Sequence, residues 1–420
     1  MQWLLVGYMF LFIHRPFEFW TILGDIHLER IYICGLFVVW LMQPKRWLPN
    51  AQHIAYFLFA FAVLFCWVMS PYMDNGQQIV EDWFKILFFY VLFVTAIDDE
   101  KKLRQVALGF AIVMGIYMTH SFKEFLAGRH TFRMGIPRMI GIDTTQGDPN
   151  AFGASIVFAL PFVTLFWNTA KSFWIRFGAG LYLCLSVGCI MLTGSRSSLL
   201  GLVLWGAIVI LRSRHRVLGL TLAVAGSPVL FLALPENLQT RFETIVNPDV
   251  GPENAKVSGE GRLEGLENGY ELWMRSPATG CGPGAWRPAT GSKIESHNLY
   301  GQLIGELGTA GLLTFGGILV CFWMNYHWMQ QARKRDPAHQ DDFSFHLAGA
   351  VMMGIFLMLF EGNFGHNLYR HNWLWYGGFL IIARYCVESR PRPPIRLYSA
   401  RAVLPSAKPP TGRIHPAYAG

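Results

Sequence analysis

Long apolar stretches alternate with short polar loops along most of the chain. A helix that crosses a bilayer needs about 20 mostly apolar residues, within a working range of about 17–25. The pattern predicts twelve membrane-spanning helices, at 2–13, 26–42, 53–69, 83–97, 103–122, 150–167, 173–193, 198–211, 217–234, 298–324, 343–360 and 372–387. Two of them, 2–13 and 198–211, are short enough for each to be a tilted partner of a neighbouring loop helix, and the alternative for the first is a re-entrant segment. We therefore expect an all-α, polytopic helical membrane protein.

One long polar insert and a polar tail interrupt this pattern. The predicted organisation is 1–234 with helices 1–9, 235–297 as a periplasmic loop, 298–387 with helices 10–12, and 388–420 as a tail. Inside the loop, 236–246 and 261–275 are predicted to be helical, the latter because its apolar residues recur at helical spacing. The segment GCGPGAW (280–286) ends any helix. The tail, rich in proline and basic residues, is predicted to be disordered and cytoplasmic.

Composition and charge agree with a membrane protein. Hydrophobic residues make up 53% of the chain and charged residues only 15%, whereas soluble domains average about 25% charged. The net charge of +8 comes from short basic clusters between apolar runs, such as Lys45-Arg46 and Arg333-Lys334-Arg335, while loop 70–82 has no Lys or Arg. Basic residues collect in cytoplasmic loops. The distribution predicts that both termini are cytoplasmic, and it indicates no nucleic-acid partner.

Familiar signatures of soluble enzymes and metal sites are missing from the sequence. There is no Walker A loop, no GxSxG elbow and no HExxH motif. The seven cysteines have neither disulfide nor zinc spacing. The adjacent acidic pairs Asp98-Asp99 and Asp341-Asp342 fall on the cytoplasmic side, so no outside pair is placed to hold a divalent cation on a diphosphate. We expect no cofactor and no metal.

Two arginines are candidates for binding an anion. Arg196 lies between two apolar spans in LTGSRSSLLGLVL (192–204), and an ionisable residue at such a boundary is a functional candidate. The alternative interpretation of Arg196 is that its side chain extends to the lipid headgroups. Arg262 opens the predicted loop helix, and a guanidinium grips phosphate oxygens with two hydrogen bonds. The alternative for Arg262 is an ion pair with Glu260 or Glu264. The serines around Arg196 are suited to cap the next helix.

His297 stands where the long outside loop enters a predicted span. A neutral imidazole can accept the proton of an attacking hydroxyl, which is worth roughly 10²–10⁴-fold in rate. Asn298 and Glu295 are available to orient it, and Asn298 is also a possible substrate contact. The alternative is an ordinary interfacial side chain. Arg196, Arg262 and His297 are all predicted on the same face of the membrane, and this combination favours a functional site over three unrelated side chains.

Other polar and aromatic positions are less specific. Outside loop 123–149 carries three arginines that either contact donor sugar and phosphate or form a solvated basic surface: Arg129, Arg133 and Arg138. Glu306, inside a predicted span, is interpreted as a structural hydrogen-bonding residue of the bundle, because exposure to lipid would be costly. The aromatic stretch at 360–376 is predicted to anchor the outer rim.

Four motifs stand in order between about 145 and 320: DPNAFG (148–153), LTGSRSSLL (192–200), GRLEGLENGYELWMRSPATGCGPGAW (261–286) and SHNLYGQLIGELGTAGLL (296–313). In this order and topology they resemble the bacterial O-antigen ligase/polymerase family, polytopic glycosyltransferases of the C-type membrane class. The resemblance implies inverting, metal-independent transfer of a glycan from undecaprenyl pyrophosphate to an acceptor hydroxyl at the periplasmic face of the inner membrane. It matches Arg196 and Arg262 to pyrophosphate-binding arginines, and His297 to the proposed general base.

The expected partners are the lipid-linked glycan donor, a lipid, glycan or protein hydroxyl acceptor, and the bilayer. A ligase and a polymerase of this family differ in the acceptor, and both stay open. A transporter or flippase for a polysaccharide intermediate also fits twelve spans. Such proteins are expected to show internal repeats and a site near the midplane, whereas this sequence shows no repeat between its halves and its polar candidates cluster at one rim. A non-catalytic scaffold of the envelope is a third possibility.

Overall fold

The computed structural model describes residues 1–133, 136–142, 147–245, 247 and 254–390, with the backbone alone at 133 and 254–260. Within these residues the chain forms seventeen α-helices and one two-stranded antiparallel sheet. Residues Met1–Glu388 make one compact unit, to which the description below refers. Apart from its first three residues, the predicted tail lies outside the described part of the chain.

The elements that precede Arg196 come from the predicted spans 1–7 and the loops between them. In chain order they are α1 (Gln2–His14), α2 (Thr21–Asp25), α3 (Leu28–Leu41), α4 (Ala51–Val68), α5 (Met73–Ala96), α6 (Glu100–Leu126), β1 (Thr131–Arg133), β2 (Ile136–Arg138), α7 (Pro149–Ala159), α8 (Pro161–Thr169) and α9 (Phe173–Thr193). The predicted span 150–167 is thus two helices, α7 and α8. They meet at Leu160, where Pro161 lacks the N–H needed to continue the hydrogen-bond ladder.

The remaining elements carry the candidate site. They are α10 (Arg196–Arg212), α11 (Arg216–Leu232), α12 (Glu236–Glu243), α13 (Asn254–Arg275), α14 (Trp286–Thr290), α15 (Leu299–Arg335), α16 (Phe343–Glu361) and α17 (Asn372–Glu388). The two helices predicted in the long loop are present as α12 and α13, and GCGPGAW forms turns between α13 and α14. The last helices also match prediction, except that α15 continues past 324 through polar residues.

Six helical segments are long and apolar enough to cross a membrane: Ala51–Val68, Glu100–Leu126, Pro149–Thr169, Phe173–Thr193, Leu299–Arg335 and Phe343–Glu361. The protein is therefore a multi-pass helical membrane protein. The finer count of about twelve spans stays a prediction, since α1 and α11 are shorter apolar helices. Helix α5 is long, but charged residues such as Asp82 and Lys85 occupy its first half.

The centre of the bundle is α17. Almost all of its residues from Asn372 to Ala383 are buried, which is typical of a helix surrounded by others on every side. Tyr56 of α4 donates a hydrogen bond to the carbonyl of Trp373 at 2.6 Å, and Tyr376 donates one to the carbonyl of Phe158 at 2.7 Å. These bonds tie α17 to α4 and α7, so the loop that precedes it is held at a fixed place.

Helix α15 is broken near its beginning, at Gly308, whose φ of 57° is in the left-handed region. The segment after α13 fills this break. Thr309 N–H donates to the carbonyl of Pro277 at 2.8 Å, and Gly282 N–H donates to the carbonyl of Glu306 at 2.9 Å. The backbone groups that the break leaves without helical partners are thereby satisfied. The polar loop and the membrane helix consequently form one folded unit.

Glu306 has the structural role predicted for it. Its buried carboxylate accepts hydrogen bonds from Gly284 N–H at 3.0 Å, from the Tyr369 hydroxyl at 2.8 Å and from the Gln302 amide at 3.2 Å. These three hydrogen bonds offset part of the cost of burying the carboxyl group. Glu306 thus links α15 to the loop before α14 and to the segment before α17.

Candidate functional site

Arg196 occupies the first position of α10, directly after a tight turn. Helix α9 ends at Gly194, which has a φ of 58°, and Ser195 then caps α10 by accepting a hydrogen bond from Ser198 N–H at 3.4 Å. Of the serines predicted to cap this helix, Ser195 does so. The Arg196 Nη1 group donates to the Thr244 hydroxyl at 3.0 Å. The arginine is therefore held at the end of the bundle, close to the segment that follows α12.

Two further arginines fix the turn that carries Arg196. Arg138 is 1% exposed, and its Nε donates to the carbonyl of Thr193 at 2.6 Å while Nη2 donates to Asn150 Oδ1 at 2.9 Å. Arg241 Nε donates to the carbonyl of Gly194 at 2.6 Å. Both guanidiniums bind backbone carbonyls beside the turn. Arg138 thus supports the site from within the protein.

The other candidates of loop 123–149 lie elsewhere. Arg129 Nη2 donates to the carbonyl of Ile142 at 2.6 Å, and its guanidinium stacks 5.2 Å from the centre of the Phe19 ring. These contacts fasten the loop to the segment after α1. The side chain of Arg133 lies outside the described part of the chain.

Arg262 projects from α13 towards Arg196. Its guanidinium lies 4.7 Å from the centre of the Phe364 ring. Burial lowers the pKa of Arg262, and the positive charge of Arg196 acts in the same direction, while Glu361 opposes them. Two guanidiniums from separate segments are therefore close enough to repel each other. An anion bound between them would relieve this repulsion.

Glu361 is a residue of this site that the sequence argument missed. It ends α16 and is 2% exposed, and its carboxyl group hydrogen-bonds Ser197 and lies near Arg262 and Arg370. Among described residues, its Oε1 atom has no hydrogen-bond partner. Gly201 of α10 packs against this atom, since a Cβ there would lie 2.7 Å away. The only signal in the sequence is an acidic residue at the end of an apolar run.

His297 lies beside the same face of α13. Helix α13 packs closely on the start of α15 through glycines. A Cβ at Gly265 would lie 3.5 Å from the backbone nitrogen of His297, and a Cβ at Gly305 would lie 3.2 Å from the Cα of Gly269. Small residues let helix backbones approach in this way. Gly265 stands one helical turn after Arg262, so Arg262 and His297 are held as neighbours.

The residues next to His297 have structural partners. Asn298 caps α15, because its Oδ1 accepts hydrogen bonds from the N–H groups of Tyr300 at 2.9 Å and Gly301 at 3.0 Å. Glu295 pairs with Arg287 at 2.7 Å, and burial raises the pKa of Glu295. Asn298 therefore fixes the backbone from which His297 projects.

A second histidine, which the sequence argument placed only in an aromatic rim, faces His297. The ring centres of His297 and His366 are 6.1 Å apart. Burial lowers the pKa of His366 to about 4, and the charges of Arg370 and His297 contribute. His366 is consequently neutral near pH 7. Arg370 Nη1 in turn donates to the Ser155 hydroxyl of α7 at 3.0 Å.

His366, Arg370 and Ser155 line a cavity of about 370 Å³. Apolar side chains of α1, α5 and α6 form part of its lining. The rest is polar and includes Arg15, Asp82, Glu295, Gln302, Glu306 and Tyr369. A cavity of this size and character suits a small polar ligand.

The fold is that of a multi-pass membrane protein with a cationic site and a histidine at one end of the bundle. Residues 181–316 match the family model described as O-Antigen ligase. This match confirms the resemblance to the O-antigen ligase/polymerase family for the segment that contains Arg196, Arg262 and His297, and it supports a ligase- or polymerase-like role. No curated protein matches the chain.

Proposed function

We propose that this protein transfers a glycan from undecaprenyl pyrophosphate to an acceptor hydroxyl at the periplasmic face of the bacterial inner membrane, in the manner of an O-antigen ligase. The bond between the anomeric carbon and the phosphate oxygen breaks, and its electron pair leaves with the pyrophosphate. The acceptor oxygen forms the new bond from the opposite side, which inverts the anomeric configuration. His297 takes the proton of the acceptor hydroxyl.

The observation that carries this proposal is the convergence of Arg196 and Arg262. They come from α10 and α13, and their charges act on each other across the site. The leaving pyrophosphate gains negative charge in the transition state, so fixed guanidiniums stabilise it more than the ground state. Their planar donor groups suit phosphate oxygens. This arrangement supports donor binding without a metal.

Glu361 is proposed to position the arginine pair. Its buried carboxyl group hydrogen-bonds Ser197 and lies near Arg262 and Arg370, and it holds Arg262 in place while no donor is bound. Glu361 acts on the substrate through Arg262, and we therefore class it as a positioning residue.

The cavity beside His366 is proposed to receive the acceptor. It contains hydrogen-bonding groups of both kinds, as a hydroxyl-rich molecule requires, and His366 connects it to His297. A neutral His366 can exchange a hydrogen bond with an acceptor hydroxyl without adding charge to the reacting group. The proposal places donor and acceptor on opposite sides of His297.

The orientation in the membrane follows from the basic clusters. Arg196 begins α10 and Arg212 ends it; likewise His297 precedes α15 and Arg333 lies in its last turn. The site and the basic clusters are therefore at opposite ends of these helices. With the clusters in the cytoplasm, the site faces the periplasm and the termini are cytoplasmic.

Reconstitution tests the proposal. The purified protein in detergent is incubated with undecaprenyl-pyrophosphate-linked glycan, candidate acceptors and a chelator of divalent cations, and products are identified by mass spectrometry. We expect a glycan joined to the acceptor, and free undecaprenyl pyrophosphate. Neither a transporter nor a non-catalytic scaffold forms a covalent product in detergent, so product that is lost in the Arg262→Gln variant excludes both alternatives. A requirement for Mg²⁺ would contradict the proposed mechanism.

The polymerase alternative uses the same site with another acceptor. A polymerase joins the glycan to a second lipid-linked repeat, whereas a ligase uses a lipopolysaccharide core or a protein hydroxyl. Parallel reactions with each acceptor separate the two, because only the true acceptor gives product.

A further inference from the structure

A second cavity lies at the opposite end of the bundle from His297. It has a volume of about 730 Å³ and is enclosed by α8, α9, α10, α15 and α16. Arg212 from the last turn of α10 and Arg333 from the last turn of α15 line it, as does His346 from the first turn of α16. The proposed reaction makes no use of this space.

Three arginines and two histidines line this cavity. They are Arg212, Arg214, His215, Arg333 and His346. Acidic side chains are also present: Asp341 lies 3.7 Å from Arg333 and 3.9 Å from His346, and Asp342 directly precedes the first turn of α16. Within the described residues, Arg212 and Arg214 have no ion-pair partner. The first turn of α16 adds the partial positive charge of a helix N-terminus.

The walls of the cavity are apolar and extend to the outer surface of the bundle. Leu183, Val209 and Met353 line them. Trp167 also lines the cavity, yet 51% of its surface is exposed, and the neighbouring Leu181 on α9 is 62% exposed. Exposed apolar side chains on a membrane helix face lipid. A hydrocarbon chain can therefore pass from the bilayer into the cavity beside Trp167.

We propose that this cavity is a binding site for an anionic phospholipid. The phosphate group binds between Arg212 and Arg214, with Arg333 opposite, and the first part of an acyl chain lies along Trp167 and the apolar walls. Arginine is suited to phosphate oxygens, and basic pockets between membrane helices bind acidic headgroups. The cavity volume falls within the range of about 300–1,000 Å³ that small-ligand sites have. The site is independent of the glycan-transfer site.

Lipid binding to the full-length protein tests this proposal. The delipidated protein is titrated with short-chain phosphatidylglycerol, phosphatidylcholine or glycerol phosphate, and bound lipid is counted by native mass spectrometry. We expect phosphatidylglycerol to bind at one preferred site. The double variant Arg212→Gln/Arg214→Gln should bind it about tenfold more weakly, because two cations near the phosphate are lost.

A matched control removes two exposed cations near the same end that do not line the cavity. Lys171→Gln/Arg176→Gln should bind phosphatidylglycerol as the unchanged protein does. Equal weakening in both double variants would overturn the site, since it would reflect net charge alone. Equally tight binding of glycerol phosphate would overturn the lipid assignment, and equally tight phosphatidylcholine would overturn the requirement for an anion. Gel filtration of each variant verifies that it is folded.

Discussion

The imidazole rings of His297 and His366 face each other with their centres 6.1 Å apart, although 69 positions separate them in the chain. Helix α15 carries the first residue at its beginning, and the loop between α16 and α17 carries the second. His366 lines the polar cavity, and the backbone of His297 lies beside Gly265 of α13, the helix that carries Arg262. This relationship defines where donor and acceptor meet in the proposed reaction.

Replacing His297 tests the general base. His297→Ala should lower kcat by roughly 10²–10⁴-fold, because the acceptor proton then has no nearby imidazole to accept it. Donor affinity should change little, and it is measured as binding of the lipid-linked glycan. The control His327→Ala changes a histidine at the far end of α15 and should leave transfer intact. Full activity of His297→Ala would refute the assignment.

The arginine pair is tested by removing one charge at a time. Arg196→Gln and Arg262→Gln should each weaken donor binding and lower kcat by about 10²–10³-fold, the loss typical of one preorganised donor to a developing anion. Arg275→Gln is the matched control, because Arg275 lies at the end of the same helix α13 and pairs only with Glu271 among its described contacts. Equal effects of all three variants would point to general charge rather than to the site.

The Glu361 carboxyl group is tested by removing it. Glu361→Ala should raise the KM for the donor about tenfold with a small effect on kcat, since Arg262 loses a neighbouring polar group but still contacts the pyrophosphate once bound. Glu361→Gln, which keeps a polar group of nearly the same shape, should restore part of the affinity. Steady-state rates at varied donor concentration separate the two parameters. A fall in kcat alone would contradict a positioning role.

Acid stability should report the buried His366. Its pKa in the folded protein is about 4, below its ordinary value of 6.5, because of burial and the nearby charges of Arg370 and His297. The unfolded chain therefore binds a proton first as pH falls, and the free energy of unfolding decreases between about pH 6.5 and pH 4. His366→Gln cannot titrate, so its Tm should fall less over this window. Identical pH profiles of Tm would show that His366 is not desolvated.

The close packing of α13 on α15 makes a stability prediction. Gly269→Ala would force a methyl group against the backbone of Gly301, and overpacking of this kind costs about 1–3 kcal/mol. Gly261→Ala on the same helix α13 meets no atom of the described residues within 4 Å and should be neutral or slightly stabilising. Thermal unfolding in detergent compares the two. Equal Tm values would mean that the glycine contact is not required.

The sequence by itself determined the positions of the helices and the first members of the site. Apolar runs identify membrane helices because every backbone polar group in the bilayer must be satisfied within the helix. Arg196 and His297 stood out because cations and imidazoles are unusual where a polar segment meets a membrane helix. Arg262 stood out because it opens the predicted loop helix. The end of α13 and the turns at 280–286 were predicted by glycine and proline, whose backbone preferences are local.

Only the tertiary structure decided which of these residues meet and what supports them. Arg129 and Arg138 were also candidates for contacting the donor, yet both guanidiniums bind backbone carbonyls. Glu361 and His366 carried little signal, because their importance comes from neighbours in other helices. These relationships depend on which faces of distant helices pack together, for example the glycine face of α13 on α15. The local sequence pattern determines where a helix forms, whereas the helix that packs against each of its faces depends on the whole bundle.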